Sequence, residues 1–195
     1  MDAHYALGSP SKENVIAPRL FISSAALVRL AAYVRLQPTT EVCGYGFVSS
    51  WNGDFYVANP DDFFITEQVV TSSSAKDAGA GLGPAYAQAV VEGRDSQLRL
   101  QWHSHPGDAY FSSTDMRNVK EFGNTFDYLI SVVTNRWGNI QARFDTFQPW
   151  RFGAEMEVFC YDDIDEETRR LVSAELRRKV TVVPTKKNLT QWRPA

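Results

Sequence analysis

Residues 101–115 read QWHSHPGDAYFSSTD, and two of the three histidines of the chain lie in this stretch, one residue apart. The segment LRLQWHS leading into it alternates apolar and polar side chains as a half-buried strand does. Pro106 and Gly107 end that strand, and SSTDMRNVKEFGN carries a helix start at Ser112 and a stop at Gly123, about three turns apart. Side chains at i and i+2 of a strand share a face, so His103 and His105 present two imidazoles side by side while Trp102 turns into the core. The turn lets Asp115 come back from the helix start as a third ligand. Two nitrogens and one carboxylate leave the fourth corner of a tetrahedral zinc site open to water, the pattern of a catalytic rather than a structural site. Simpler readings of each piece stay open: the histidines can be ordinary hydrogen-bonding side chains, and Ser112 with Asp115 fits a capping box. Asp108 either lines the cleft or hydrogen-bonds the turn.

Upstream, Ser23 or Ser24 caps a helix whose buried face carries Leu27, Leu30, Ala31 and Val34, and Pro38 stops it. EVCGYGFVSS is a strand beginning at Glu41, and Asn52-Gly53 marks a hairpin between it and FYVAN. FFITEQVV is a further strand. TSSSAKDAGAGLGP, from Thr71 to Pro84, buries too little apolar area to order, which predicts a mobile loop, either one that closes over a substrate or a passive insertion. PAYAQAVVEG forms a short helix with Tyr86, Ala89 and Val90 on one side.

Downstream, FDYLISVVTN is a buried strand, Asn135 to Asn139 a turn, and IQARFDTFQ the last strand. DDIDEETRRLVSAELRRKV closes the chain as a helix, acidic at its start and basic at its end, with an apolar stripe of Leu171, Val172, Leu176 and Val180.

Length and charge bound the rest. At 195 residues with 44% hydrophobic side chains, the chain supports one well-buried core and hence one domain. Twenty basic and 23 acidic side chains are spread along it, so no single-sign field draws in nucleic acid. Cys43 and Cys160 stand far apart without a CxxC pair, as in a reducing cytoplasm, and Cys43 either points into the core or lies beside the site. The most apolar stretch, LFISSAALVRLAAYVRL, is interrupted by Arg29 and Arg35, which argues against a membrane span.

EVCGYGF, with Glu41 ahead of Gly44, followed by HSHP at 103–106 and SSTD at 112–115, resembles the signature of the JAMM (MPN+) zinc metalloproteases: a glutamate, H-x-H-P, a spacer, and S-x-x-D. The likeness runs from Pro18 to Gln148. The spacer Pro106 to Phe111 holds six residues, one fewer than the family's usual spacing, so the turn near Gly107 and Asp108 is tighter. The resemblance implies an α/β fold of α+β type, an MPN/JAB-like domain at 18–150 with a mixed sheet flanked by helices. A tail at 1–17 precedes it, and a helical extension at 151–195 packs on it or on a partner. It implies one Zn²⁺ per chain on His103, His105 and Asp115, with Glu41 as general base. Ser112 would then donate to the oxyanion, an interaction worth about 3 kcal/mol in comparable sites. The implied activity is hydrolysis of the peptide or isopeptide bond at the C-terminus of ubiquitin or a ubiquitin-like modifier, in a compact prokaryotic member. The alternative is a non-catalytic MPN scaffold that binds partners through the same fold.

Overall fold

The computed structural model describes residues 17–159 and 166–183. His4, Cys160 and most of the tail at 1–17 lie outside the described residues, as do Asp162, Asp163 and Asp165 of the expected acidic helix start and the end of the extension. The fold is α+β. In chain order the described residues form β1 (Leu20–Ile22), α1 (Ser24–Arg35), β2 (Cys43–Phe47), β3 (Ser49–Trp51), β4 (Asp54–Val57), β5 (Phe63–Phe64), β6 (Gln68–Thr71), β7 (Ser74–Asp77) and α2 (Gly83–Val91). There follow β8 (Leu98–His105), α3 (Ser113–Phe122), β9 (Tyr128–Asn135), β10 (Ile140–Thr146), β11 (Phe152–Met156), β12 (Val158–Phe159), α4 (Glu166–Lys179) and β13 (Val180–Val182).

A six-stranded sheet, ordered β11-β10-β9-β8-β2-β5, is the body of the molecule. Its β8 and β9 are parallel and joined through α3, whereas β2 runs antiparallel to β8 with Cys43 opposite His103. Strand β9 is buried along nearly its whole length, as a central strand covered on both faces must be. Strand β8 alternates strictly, Trp102 and Ser104 buried, His103 and His105 only partly so. A four-stranded sheet, β12-β1-β4-β3, and a three-stranded one, β13-β6-β7, flank it.

Helix α1 begins at Ser23, whose Oγ accepts from the Ala26 N–H at 3.1 Å. It buries Ala26, Val28, Leu30, Ala32, Tyr33 and Val34; of the predicted face, Leu30 and Val34 are buried while Leu27 and Ala31 are only partly so, and α4 packs on the helix as well as the sheet. Tyr33 stacks on Trp102 of β8 with ring centroids 5.4 Å apart, and its hydroxyl donates to Glu175 of α4. Arg29 donates to the same carboxylate at 3.1 Å, and Lys179 bridges Glu175 to the Ile65 carbonyl.

Several expectations change. EVCGYGFVSS is two strands in different sheets, because a register irregularity at Gly46/Phe47 bends the chain out of the first. FFITEQVV likewise splits, Ile65 to Glu67 carrying it from the six-stranded to the three-stranded sheet. The Asn-Gly hairpin stands as read, with φ of 51° at Asn52 and 82° at Gly53, the positive pair a type I′ turn requires. The segment expected to be a mobile loop instead contributes β7, paired residue for residue with β6. Low apolar content did not prevent this, since the pairing is made by backbone groups. On α2 only Ala89 is buried, so Tyr86 and Val90 do not form a core face.

Strand IQARFDTFQ is not the last. Strand β11 pairs with β10 and β12 with β1, so the boundary expected at 150 falls between two strands of one sheet. Helix α4 seals the core with Val172 and Leu176, whereas Leu171 of the expected stripe faces solvent and Val180 begins β13. The helix is therefore part of the core it covers. Truncating Leu176, only 2% exposed, to alanine is expected to cost about 2–5 kcal/mol in urea unfolding. Leu171→Ala, at a position 52% exposed, is expected to stay within about 0.5 kcal/mol of the parent.

Candidate metal centre

The pleat of β8 places both imidazoles on the face opposite Trp102, with their Nε2 atoms 3.1 Å apart. Two ring nitrogens this close need a proton or a cation between them. Pro106 and Gly107 turn the chain, and α3 starts on a capping box: Asp115 N–H donates to Ser112 Oγ at 3.2 Å, and Ser112 N–H donates to Asp115 Oδ2 at 2.7 Å. The cap aims the same carboxylate at the histidines. Asp115 Oδ1 lies 3.3 Å from His103 Nε2, and Oδ2 lies 3.8 Å from His105 Nε2. The shortened spacer thus leaves Asp115 within reach of both rings.

A tetrahedral ion with bonds of about 2.0–2.2 Å has ligand–ligand edges of roughly 3.3–3.6 Å. The imidazole pair at 3.1 Å and the His103–Asp115 Oδ1 pair at 3.3 Å lie near that range, and one donor atom from each of the three residues lies within 4.8 Å of the others, so the His-His-Asp set could hold a metal ion. Among the described residues it is the only such group of histidine, cysteine and carboxylate ligands. The second layer of contacts agrees. His105 Nδ1 lies 3.2 Å from the Asp108 carbonyl oxygen. A carbonyl can only accept, so the ring carries its proton on Nδ1 and leaves the Nε2 lone pair free. Asp108 thus fills both roles considered for it, its carbonyl bonding the turn while the residue lines the cleft, and Tyr110 packs edge-on to His105 with centroids 5.1 Å apart.

Electrostatics set the protonation states. Burial, reinforced by the neighbouring His103, pushes the His105 imidazole below its ordinary pKa, so it is neutral near pH 7. Burial opposes ionisation of Asp115, but hydrogen bonding and charge from His103, with the Ser112 hydroxyl and N–H, outweigh it and hold the carboxyl far below the usual range. Both groups are deprotonated, as metal ligands must be.

Glu41 is not a strand residue, since β2 begins at Cys43, yet its segment is held from several sides. Its N–H donates to the Thr71 carbonyl at 2.8 Å. Val42 is bonded twice by Ser104, which accepts its N–H on Oγ at 3.0 Å and donates its own N–H at 2.8 Å. The short β5 reaches only Tyr45 and Gly46, which leaves the main chain of Cys43 without a strand partner on that side. The buried Gln68 amide substitutes for one, accepting from Cys43 N–H at 3.0 Å and donating to Cys43 C=O at 2.8 Å. Burial raises the Glu41 pKa above the ordinary carboxyl value, with Asp115 adding to the shift and His103 opposing it.

Gly44 is required for this approach, because a Cβ there would lie 2.1 Å from the Phe64 carbonyl and 2.7 Å from Trp102 Nε1. Cys43 lies beside the site, its thiol pushed up to about 12 by burial, and it is not in the ligand set.

Glu41, His103, His105, Ser112 and Asp115 line one cleft of about 800 Å³. Its opposite wall is β7, held by Asp77, which accepts from the hydroxyls of Tyr45 and Thr66. Sequence reasoning missed Ser104 and Gln68, and it offered the segment of this wall as one that closes over a substrate or as a passive insertion, in the form of a mobile loop rather than a strand. The available signal was a buried-strand pattern containing polar residues, which must then find hydrogen bonds.

A scan against protein-family models finds no match to this chain, and a search of curated proteins finds none either. No helix among the described residues is long and apolar enough to cross a membrane.

Asp115 caps α3 and is also placed where it could ligate an ion, and the two are separable. Asp115→Asn keeps an oxygen for the cap but removes the charge, and metal affinity is expected to fall by more than the ~10–100-fold typical of losing an outer-shell partner. Ser112→Ala is expected to do the reverse, costing about 0.5–2 kcal/mol in stability while metal is retained. Metal analysis after dialysis and denaturant melts check both.

Proposed function

We propose that this chain is a zinc-dependent peptidase or isopeptidase of the JAMM type, acting on the C-terminal tail of a ubiquitin-like modifier in the cytoplasm. The observation that carries the reading is the convergence, in one cleft, of the His103–His105–Asp115 set with a half-buried Glu41 that is not itself a ligand. Zinc in such a site supplies Lewis acidity, polarising a substrate carbonyl and acidifying water.

The chain's own residues supply the rest. Glu41 takes the proton of the attacking water on its carboxylate and returns it to the departing amine, a role favoured by a carboxyl pKa above the ordinary value. Ser112 Oγ accepts from the Asp115 N–H, and its hydroxyl, which also bonds the Asp115 carboxylate, lines the cleft and can turn to donate to a developing oxyanion. Strand β7 is the outer strand of its sheet, and its open edge borders the cleft, suited to an extended tail that pairs as an added strand.

Two variants test this reading on a panel of ubiquitin-like fusions and lysine conjugates. Glu41→Gln is expected to lower turnover by about 10²–10⁴-fold with metal content unchanged. Cleavage by that variant at the parent rate would remove Glu41 from the chemistry, and no cleavage by the parent across the panel would reject the substrate class. The two-residue turn between Thr71 and Ser74 directs the Ala75 N–H away from β6. Ala75→Pro is therefore expected to raise KM several-fold and leave kcat and bound metal alone, while unchanged KM would reject strand addition at this edge.

A further inference from the structure

Helix α3 presents a second surface, on the side turned away from the candidate metal centre. There Met116, Val119 and Lys120 of the helix meet Phe147, Arg151 and Phe152 around a cavity of about 200 Å³. Trp150 beside it is 79% exposed and Phe152 is 50% exposed, large aromatic surface for water to cover.

The uncommitted charge lining this cavity has one sign. Arg143 forks onto Asp145 at 2.8 and 2.9 Å, and the pair lies so close over Gly153 that a Cβ there would come within 2.0 Å of the guanidinium. That pair is neutral and committed. Arg117, Lys120 and Arg151 are exposed, and among the described residues their side chains make no hydrogen bond, ion pair or ring contact. Arg117, three before Lys120 on α3, is also four before the exposed Glu121, so Lys120 and Arg151 are the cations that count at the cavity. A chain with a net charge of −3 thus concentrates unpaired cations beside exposed aromatics.

The backbone adds a third element. Strand β11 is the edge of the six-stranded sheet, paired with β10 on one side and with no strand on the other among the described residues. Glu155, the only acid of FGAEM, lies towards the far end of the strand, whereas the cations gather at the Phe152 end.

We infer that this surface docks an extended acidic peptide segment, which pairs with the open edge of β11 and lays an apolar or aromatic side chain into the cavity. Its carboxylates meet Lys120 and Arg151. Backbone pairing at an edge supplies affinity, the cavity and the cations supply specificity. A nucleic acid fits less well. Two uncommitted cations on an acidic chain release few counterions, and an edge strand offers a phosphate backbone nothing that it offers a peptide. The site is independent of the hydrolase reading and requires neither metal nor activity.

The test uses the full chain and fluorescein-labelled Glu-Glu-Ile-Phe-Glu-Glu, its lysine counterpart Lys-Lys-Ile-Phe-Lys-Lys, and oligo(dT). Anisotropy is expected to show binding of the acidic peptide that weakens with salt, with amide exchange slowed at 152–156. The double variant Lys120→Glu/Arg151→Glu is expected to bind it at least about tenfold more weakly and to prefer the lysine peptide. Phe152→Ser is expected to weaken binding without altering the salt dependence. Circular dichroism and bound metal, both unchanged, show that the variants are folded. The proposal is overturned by no binding to the parent, by equal binding of the two peptides, by indifference to the double variant, or by oligo(dT) binding more tightly than the acidic peptide.

Discussion

Alternation along β8 is the constraint on which the rest of the molecule turns. The pleat that drives Trp102 into the stack with Tyr33 and sends Ser104 to bond Val42 also holds His103 and His105 on the opposite face, one repeat apart. A slip of one residue would exchange the two sets, putting imidazoles in the core and an indole in the cleft. Register is therefore enforced by core packing, and the histidine geometry follows from it. Glu175, reaching from α4 to the Tyr33 hydroxyl, ties the last helix into the same arrangement.

The site is built from groups whose structural and chemical demands coincide. Asp115 satisfies a free N–H at the start of α3, and that bond fixes the carboxylate where two ring nitrogens converge. Ser112 completes the cap, its oxygen accepting from the Asp115 N–H. Gln68 supplies both hydrogen bonds that a missing strand would have made to Cys43. Each is a polar group placed where its loss would leave a partner unsatisfied, so the geometry is stiff before any ligand arrives.

Much of this was legible beforehand because it is local. The strand before the histidines, the turn at Pro106 and Gly107, the cap at Ser112, the stop at Gly123 and the Asn52-Gly53 hairpin each depend on residues within a few positions of one another. The errors were all non-local. TSSSAKD reads as unordered because its side chains bury little, yet β6 provides a ladder that makes it a strand. FFITEQVV and EVCGYGFVSS read as single strands because apolar periodicity does not show where a chain changes sheets. FGAEM and Val158–Phe159 were passed over because strands this short and weakly patterned are defined by their neighbours.

By itself the sequence determined which residue types stand on which face of which element: two imidazoles on one side of a strand, a carboxylate at a helix start, a glutamate ahead of a glycine. These follow from the twofold pleat and from capping chemistry, which act over a handful of bonds. Only the tertiary structure decided that the three ligands meet at separations a single ion can bridge, that Glu41 is clamped beside them by Ser104, Gln68 and Thr71, and that β7 walls the cleft. Those are distances between segments far apart in the chain, and they are set by how sheets pair and cores pack, which no local pattern encodes.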